Sequence, residues 1–185
     1  MEHSDLLLEQ PKRILVMRYR FIGDTLLSVP FFRNLRRAYP NAIIDALLAP
    51  DSAELLRDCP YIDHVFVLYK KQFWATLWTL RQQGYDRVYV LKRSLSSAWL
   101  AFCAGIPERI GFTGLGCDPG RRFLLTRCVP YPDTLGMHER NRFLSVLETE
   151  GHTLDDRHLE AWWGEGRPCG RSIVLTHMPV ILTWP

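Results

Sequence analysis

The sequence predicts an α/β domain built on a parallel β-sheet. Short β-rich runs alternate with helical patterns along most of the chain, which is typical of strands joined by crossover helices. The chain has 185 residues, 47% of them apolar, enough for one domain with a buried core. Near its start the apolar run from Ile14 to Met17 gives way to a short basic loop, and Gly23-Asp24 then opens an amphipathic helix. In open α/β sheets this order builds binding sites.

The first half of the chain supplies three strand–helix pairs. Residues 13–18 form the first strand, and the helix over 24–39 ends at Pro40-Asn41. Pro30 lies inside that helix and should bend it or break it after its first turn. The second and third strands are predicted over 42–48 and 64–68. Their helices follow over 52–57 and 73–83, the latter ending at Gly84.

The second half continues the alternation. A fourth strand over 86–91 leads through Lys92-Arg93-Ser94 into a helix over 96–104, and a turn at 105–107 precedes a short fifth strand over 109–112. Glycine and proline dominate residues 111–120, which fit no phosphate-binding motif, so we interpret them as a mobile loop. A last helix over 137–150 carries an apolar stripe.

The chain changes character after Gly151. Residues 152–171 are polar and predict a linker or a poorly packed extension, and one strand-like run, 173–175, follows. We therefore divide the chain into a domain over 1–151 and a tail over 152–185.

Basic residues concentrate near the start, although the formal charge of +3 is too weak to indicate a nucleic-acid partner. The first forty residues contain Lys12, Arg13, Arg18, Arg20, Arg33, Arg36 and Arg37, and the pairs Lys92-Arg93 and Arg121-Arg122 come later. Such patches suit a phosphorylated ligand or an anionic membrane surface. For the three arginines of residues 33–37, a solvated helix face is the alternative.

The cysteines and the termini indicate a cytoplasmic protein. Five scattered cysteines without a C-x-x-C pair or metal-site spacing predict reduced thiols and no metal. The acidic start, MEHSDLLLEQPK, does not resemble a signal peptide. The longest apolar-leaning stretch, 98–106, is far shorter than the ~20 residues that cross a bilayer.

Asp24 and Gly23 are the first candidate site residues. A carboxylate at a helix N-terminus is often a cap, but one held within reach of a hydroxyl can accept its proton. Gly23 lets the backbone approach a ligand, or serves only the geometry of the turn. Both interpretations stay open at this point.

Two further groups could contact a ligand. Lys92, Arg93 and Ser94 follow the fourth strand, where cations can hold phosphate or carboxylate groups, or where a serine simply caps the next helix. The aromatic set Phe73, Trp74 and Trp78 predicts core packing, with contact to a membrane interface as the alternative. His138 and Glu139 begin the last helix. They either face the same cleft as these groups, or serve as a helix cap and as solvated surface residues.

Three sequence blocks carry a family resemblance. Residues 18–40, RYRFIGDTLLSVPFFRNLRRAYP, resemble the opening pattern R-x-x-x-I-G-D-x-L-L-x-x-P-x-x-R of the family 9 glycosyltransferases, the ADP-heptose:lipopolysaccharide heptosyltransferases. Residues 85–112, YDRVYVLKRSLSSAWLAFCAGIPERIGF, and 137–151, MHERNRFLSVLETEG, resemble two later blocks of the same family. The blocks occur in the family's order.

The resemblance implies a Rossmann-like doubly wound parallel sheet, the N-terminal, acceptor-binding half of a GT-B fold. It implies an inverting, metal-independent enzyme without a cofactor, which takes its sugar from a nucleotide-sugar co-substrate, ADP-heptose. The acceptor would be a lipopolysaccharide inner-core or lipid A glycolipid, met in peripheral contact with the inner membrane. The family's I-G-D aspartate, its proposed general base, falls on Asp24. Arg18, Arg20, Gly23, Lys92, Arg93 and Ser94 would contact the acceptor.

The resemblance also implies a missing part. Members of the family are about twice as long, with two domains of ordinary size. By the resemblance, residues 152–185 are a linker and a truncated or degenerate start of the donor-binding domain, and the rest of that domain is absent from this sequence. We therefore expect an incomplete chain with little activity alone, or a partner of a separate donor domain. The alternative is a non-catalytic α/β module that binds an anionic glycolipid.

Overall fold

A six-stranded parallel sheet organises the part of the chain that the computed structural model describes, residues 10–18, 22–114, 117–132, 137–154 and 157–161. The strands are β1 (Arg13–Met17), β2 (Ile43–Leu48), β3 (His64–Val67), β4 (Arg87–Val90), β5 (Glu108–Thr113) and β6 (Arg127–Pro130). Their order is β3-β2-β1-β4-β5-β6, and every neighbouring pair is parallel. This is the order of a doubly wound Rossmann-like sheet, as predicted.

Helices cover both faces of the sheet. They are α1 (Ile22–Leu26), α2 (Val29–Ala38), α3 (Pro50–Ala53), α4 (Phe73–Gln83), α5 (Leu95–Cys103) and α6 (Glu139–Thr149). The first face packs against α2 and α6, and the second face against α4 and α5. Side chains of β1 alternate between the two cores, Ile14 and Val16 toward the first and Leu15 and Met17 toward the second. None of these described helices is long and apolar enough to cross a bilayer.

The strands and helices predicted over residues 13–150 are present, with ends that differ by one or two residues, and the prediction for Pro30 is confirmed. The helix predicted over 52–57 is α3 followed by a 3₁₀ turn, Glu54–Leu56, and the strand-like run 173–175 lies outside the described residues. The first helix is divided into α1 and α2 at Leu27-Ser28. Pro30 is the second residue of α2, where its missing N–H has no partner to lose. Gly84 ends α4 in the left-handed conformation, with φ of 63°, as the sequence indicated.

The interpretation of residues 111–120 as a mobile loop is wrong for its first part. Gly111 to Thr113 belong to β5, and Asp118 accepts a hydrogen bond from the N–H of Leu95 at 2.7 Å. Strand β6 was not predicted at all. It is a four-residue edge strand with one buried side chain, Val129, so it lacks the apolar alternation by which strands are recognised.

The described part of the extension after Gly151 packs against the first face. His152 is hydrogen-bonded to the Tyr39 hydroxyl at 3.0 Å, and Glu160 forms an ion pair with Arg33 at 2.7 Å. Arg33 is 2% exposed, so a solvated helix face is the wrong interpretation for it. Poor packing is likewise wrong for this stretch, while the division of the chain at residue 151 stays a prediction.

Candidate functional site

Asp24 and Arg18 meet at the carboxyl edge of the sheet, where β1 ends. Arg18 directly follows β1, and its guanidinium contacts an Asp24 carboxylate oxygen at 2.6 Å. Asp24 is the third residue of α1, so the cap interpretation, which places it just before the helix, is wrong. The central strand and the start of α1 together aim a carboxylate at the edge where parallel sheets bind ligands.

Arg18 is buried and contacts helix α6 as well as Asp24. Its side chain is only 8% exposed, and the guanidinium carbon lies 4.7 Å from the centre of the Phe143 ring on α6. Burial lowers the pKa of Arg18, an effect that the carboxylates of Asp24 and Glu139 oppose. Since a buried cation needs a partner, the pair fixes where the Asp24 carboxylate lies.

A second group of charges adjoins this pair. The Tyr131 hydroxyl donates to a Glu139 carboxylate oxygen at 2.6 Å, and Arg142 donates to the same oxygen at 2.7 Å. Arg93 stacks on the Tyr131 ring, 4.4 Å from its centre, and interacts electrostatically with Arg18. We call Arg18, Asp24, Arg93, Tyr131, Glu139 and Arg142 the edge cluster.

Glu139 is the second carboxylate of the edge cluster. Burial by itself would raise the pKa of Glu139, but hydrogen bonds from Tyr131 and Arg142 and the nearby Arg93 lower it overall. The sequence suggested either a cleft-facing role or a cap for this residue, and the structure places it within electrostatic reach of Arg18, the partner of Asp24. Tyr131 and Arg142 were missed, because no local pattern shows that a loop tyrosine and a helix arginine meet β1.

Lys92 does not join the edge cluster, although it precedes Arg93 directly. It lines a separate pocket of about 630 Å³ on the α4/α5 side of the sheet, together with apolar residues such as Phe73 and Leu100. The adjacent residues Lys92 and Arg93 thus lie beside different features, Lys92 at this pocket and Arg93 against the Tyr131 ring. Asp51 also lines this pocket, so the lining includes one basic and one acidic side chain.

Ser94 occupies the N-cap position of α5, as the alternative interpretation holds, but its side chain makes no capping bond. Asp118 accepts from the first N–H of the helix instead. The Ser94 carbonyl accepts a hydrogen bond from Arg121 at 2.7 Å. Its backbone thus belongs to the scaffold, and its hydroxyl is hydrogen-bonded to the Ser96 and Ser97 hydroxyls, each at 3.2 Å.

Arg121 supports the carboxyl edge from within. It is 1% exposed, and its guanidinium donates at 2.7 Å to three carbonyls, those of Val90, Phe112 and Ser94. The sequence placed Arg121 in a basic pair suited to phosphate. That interpretation is wrong, because all three bonds hold the ends of β4 and β5 and the start of α5 together.

Two predicted site residues remain. A Cβ built on Gly23 would meet nothing within 4 Å, so no neighbouring group in the described structure requires a glycine there. Arg20 lies outside the described residues. Across those described ranges, no three His, Cys, Asp or Glu side chains come together in the way of metal ligands.

Comparison with known proteins relates the chain to one family. The family model described as glycosyltransferase family 9 (heptosyltransferase) matches residues 73–156. Lipopolysaccharide heptosyltransferase 2 of Escherichia coli (strain K12) is 33% identical over 109 residues, covering 55% of this chain and 31% of that protein. Lipopolysaccharide heptosyltransferase 3 of the same strain is 29% identical over 143 residues, covering 72% and 41%. The chain spans less than half the length of these curated relatives.

Solved structures agree with this relation. The structure of E. coli ADP-heptose lps heptosyltransferase II is 29% identical, with a TM-score of 0.64 over 72% of this chain and 39% of that one. A glycosyl transferase family 9 structure from Veillonella parvula DSM 2008 shares the fold, with a TM-score of 0.72 over 83% of this chain and 45% of that one, at 22% identity. The described sheet is thus one Rossmann-like half of the fold that the GT-B heptosyltransferases have. By these matches the chain is similar to glycosyltransferase family 9, the heptosyltransferases, whose model it fits over residues 73–156.

Proposed function

We propose that the chain is the acceptor-binding half of a sugar transferase, in which Asp24 is the general base. The observation that carries this proposal is the Arg18–Asp24 contact at the carboxyl edge, 2.6 Å long and backed by a buried guanidinium. The relatives are named lipopolysaccharide heptosyltransferases, which supports a lipopolysaccharide inner-core or lipid A acceptor. One solved relative is described as an ADP-heptose enzyme, which supports that donor.

The proposed reaction is a single displacement. An acceptor hydroxyl within hydrogen-bond reach of Asp24 gives its proton to the carboxylate while its oxygen attacks the anomeric carbon of the donor. The bond from that carbon to the diphosphate oxygen breaks, and ADP leaves with the electron pair. Attack opposite the leaving group inverts the anomeric centre, and neither a resident cofactor nor a metal takes part. Arg18 is a positioning residue, because it acts through Asp24.

Cations around Asp24 suit an acceptor that carries phosphate. Arg93 is half-buried and presents a planar guanidinium at the edge cluster, a geometry that binds phosphate oxygens in pairs. The open space at Gly23 leaves room for a sugar against the α1 backbone. We assign a second acceptor contact to Lys92 through its pocket, and further ones to the Ser94 hydroxyl and to Arg20.

The donor site belongs, in this proposal, to a second domain. Most of the rate of such a reaction comes from orienting both substrates, and the described residues form one sheet with one carboxyl edge. The partner domain is supplied by a longer version of this chain or by a separate chain. Without it, we expect acceptor binding and little sugar transfer.

The test is reconstitution with the donor domain of a family 9 relative. The chain, the donor domain and ADP-heptose are incubated with a phosphorylated lipid A acceptor, and the glycosylated product is measured by mass spectrometry. Product that depends on both proteins is expected. Asp58→Asn is the matched control for Asp24→Asn. It changes an exposed carboxylate outside the edge cluster and should keep the wild-type product. Acceptor binding without transfer under any of these conditions would instead favour the non-catalytic glycolipid-binding module, and no acceptor binding would contradict both.

A further inference from the structure

The outer side of α4 carries an aromatic stripe. Phe73, Leu77 and Leu80 face the core of the second sheet face, so the positions between them point outward. Trp74 and Trp78 are 76% and 64% exposed. With Arg81 they follow the spacing i, i+4, i+7, which aligns three side chains on one side of a helix.

Helix α5 repeats this arrangement. Ala98, Leu100 and Ala101 face the same core, while Leu95, Trp99 and Phe102 are exposed at the spacing i, i+4, i+7. The rings of Trp99 and Phe102 lie 6.0 Å apart, tilted by 32°. Thus three tryptophans and a phenylalanine stand in water on two helices of one layer.

The two stripes point the same way. Both helices cover the second face of one sheet, and the side chains that face inward from each belong to one continuous core. The outward sides of α4 and α5 therefore form one surface, parallel to the sheet. We call it the aromatic face, defined by Trp74, Trp78, Arg81, Leu95, Trp99 and Phe102. Large exposed apolar patches of this kind mark contact sites.

The charge of this layer is one-sided. From residue 64 to residue 107 the chain has one acidic residue, Asp86, and that carboxylate accepts hydrogen bonds from the backbone N–H groups of Lys12 and Arg13 at 2.8 and 2.9 Å. Helix α4 and the turn before it contain no acid, while Lys71 and Arg81 are exposed there. The nearby Asp118 carboxylate, at the start of α5, accepts a hydrogen bond from the backbone N–H of Leu95 at 2.7 Å. An aromatic surface that is flanked by cations, on two helices without an acidic residue of their own, complements an anionic surface.

We propose that the aromatic face rests on the headgroup layer of an anionic lipid bilayer. Tryptophan is enriched at this interface, because its ring is apolar and its N–H can stay hydrated. Lysine and arginine beside it gain from the negative surface potential of anionic lipids. The short stripes reach the interface and do not span the bilayer. The carboxyl edge is then held beside the membrane, within reach of a lipid-linked substrate.

The test is co-sedimentation of the full chain with lipid vesicles. Vesicles of phosphatidylcholine with phosphatidylglycerol should bind the chain, and vesicles of phosphatidylcholine alone should bind it more weakly. Lys71→Gln and Arg81→Gln should each weaken binding to the mixed vesicles about fivefold, the value of one cation near an anionic surface. Trp74→Ser with Trp78→Ser should abolish it. Brominated lipids should quench the tryptophan emission of the wild-type chain.

A matched control keeps the result specific. Arg57 is 64% exposed at its side chain and follows a short 3₁₀ turn whose Leu56 packs into the first-face core, so Arg57→Gln should bind vesicles like the wild type. The substituted side chains on α4 are exposed, so thermal unfolding should not change. Equal losses for Arg57→Gln and Arg81→Gln would overturn the proposal. The proposal would also be overturned if the wild-type chain bound no vesicles and instead dimerised through its tryptophans. No sugar is present in this assay, so it fails or succeeds independently of the proposed function.

Discussion

Replacement of Arg121 by alanine is expected to destabilise the fold strongly, although the residue carries a charge and precedes an exposed arginine. The Arg121 guanidinium is almost fully buried and donates to the carbonyls of Val90, Phe112 and Ser94, each at 2.7 Å. Alanine removes all three donors at once. The carbonyls sit at the ends of two central strands and at the start of α5, so no β-ladder replaces the lost bonds.

The magnitude follows from these contacts. A buried carbonyl that loses its partner costs about 1–3 kcal/mol, less where water can enter the space. The Ser94 carbonyl keeps a second donor, the Ser97 hydroxyl at 2.6 Å, so the loss falls mainly on the carbonyls of Val90 and Phe112. Together they give about 2–4 kcal/mol, a large part of the ~5–15 kcal/mol that holds a typical domain together. At about 2–4 °C per kcal/mol for a chain of this size, the melting temperature should fall by about 10 °C.

The assay is thermal and urea unfolding followed by circular dichroism. Arg122→Ala is the matched control, since this neighbour is exposed and should change stability by less than about 0.5 kcal/mol. A Cβ added at Gly111 would lie 2.8 Å from the Arg121 Nη2 atom and 3.0 Å from the Val90 oxygen. Gly111→Ala should therefore cost about 1 kcal/mol less in the Arg121→Ala background than in the wild type. Equal effects of Arg121→Ala and Arg122→Ala, or strict additivity with Gly111→Ala, would refute this reasoning.

Three further predictions concern single side chains. Gly23→Ala should raise the free energy of unfolding by about 0.5 kcal/mol, because alanine favours the helix and meets no neighbour within 4 Å. Titration with a phosphorylated lipid A acceptor should nevertheless show weaker binding. Unchanged binding would remove Gly23 from the site. Glu139→Gln should lower the free energy of unfolding by about 1 kcal/mol at neutral pH. Because the pKa of folded Glu139 lies below its ordinary value of 4.5, this contribution is present above that value and is lost as the pH falls through the folded pKa, so urea unfolding of both proteins should converge in acid. Burial raises the pKa of Cys59 to about 12, so a thiol reagent at mildly alkaline pH should modify the exposed Cys128 long before Cys59, as peptide mass spectrometry would show; equal rates would contradict the buried placement.

Much of the fold could be predicted because the signals are local. Each buried parallel strand is a short apolar run and each crossover helix has its own spacing and end signals, such as Pro30 and Gly84. Strand β6 could not be predicted, since an exposed edge strand needs only backbone hydrogen bonds from its neighbour. Arg33 looked solvated for a similar reason: its partner, Glu160, lies 127 residues further along the chain.

The candidate site shows the same limit. The position of Asp24 after the first strand predicts the correct edge of the sheet, but its pairing with Arg18, six residues earlier, was not predicted. Tyr131, Glu139 and Arg142 complete the edge cluster from more than 100 residues away, by a loop and a helix that meet β1 only in the folded chain. Lys92 lies at the pocket on the α4/α5 side, whereas Arg93 belongs to the edge cluster. The sequence does not reveal this, because neighbouring residues at a strand end can point to opposite sides of the sheet.

The central claim is that Asp24 accepts the proton of the acceptor hydroxyl, and the most direct measurement is the single-turnover rate of Asp24→Asn. The chain is reconstituted with a donor domain and saturated with acceptor and ADP-heptose, and acceptor affinity is measured separately. A lost general base should slow transfer about 10²–10⁴-fold, while the acceptor dissociation constant stays within about twofold, because asparagine keeps the shape of the side chain. A wild-type rate in Asp24→Asn, or a loss explained entirely by weaker acceptor binding, would contradict the assignment.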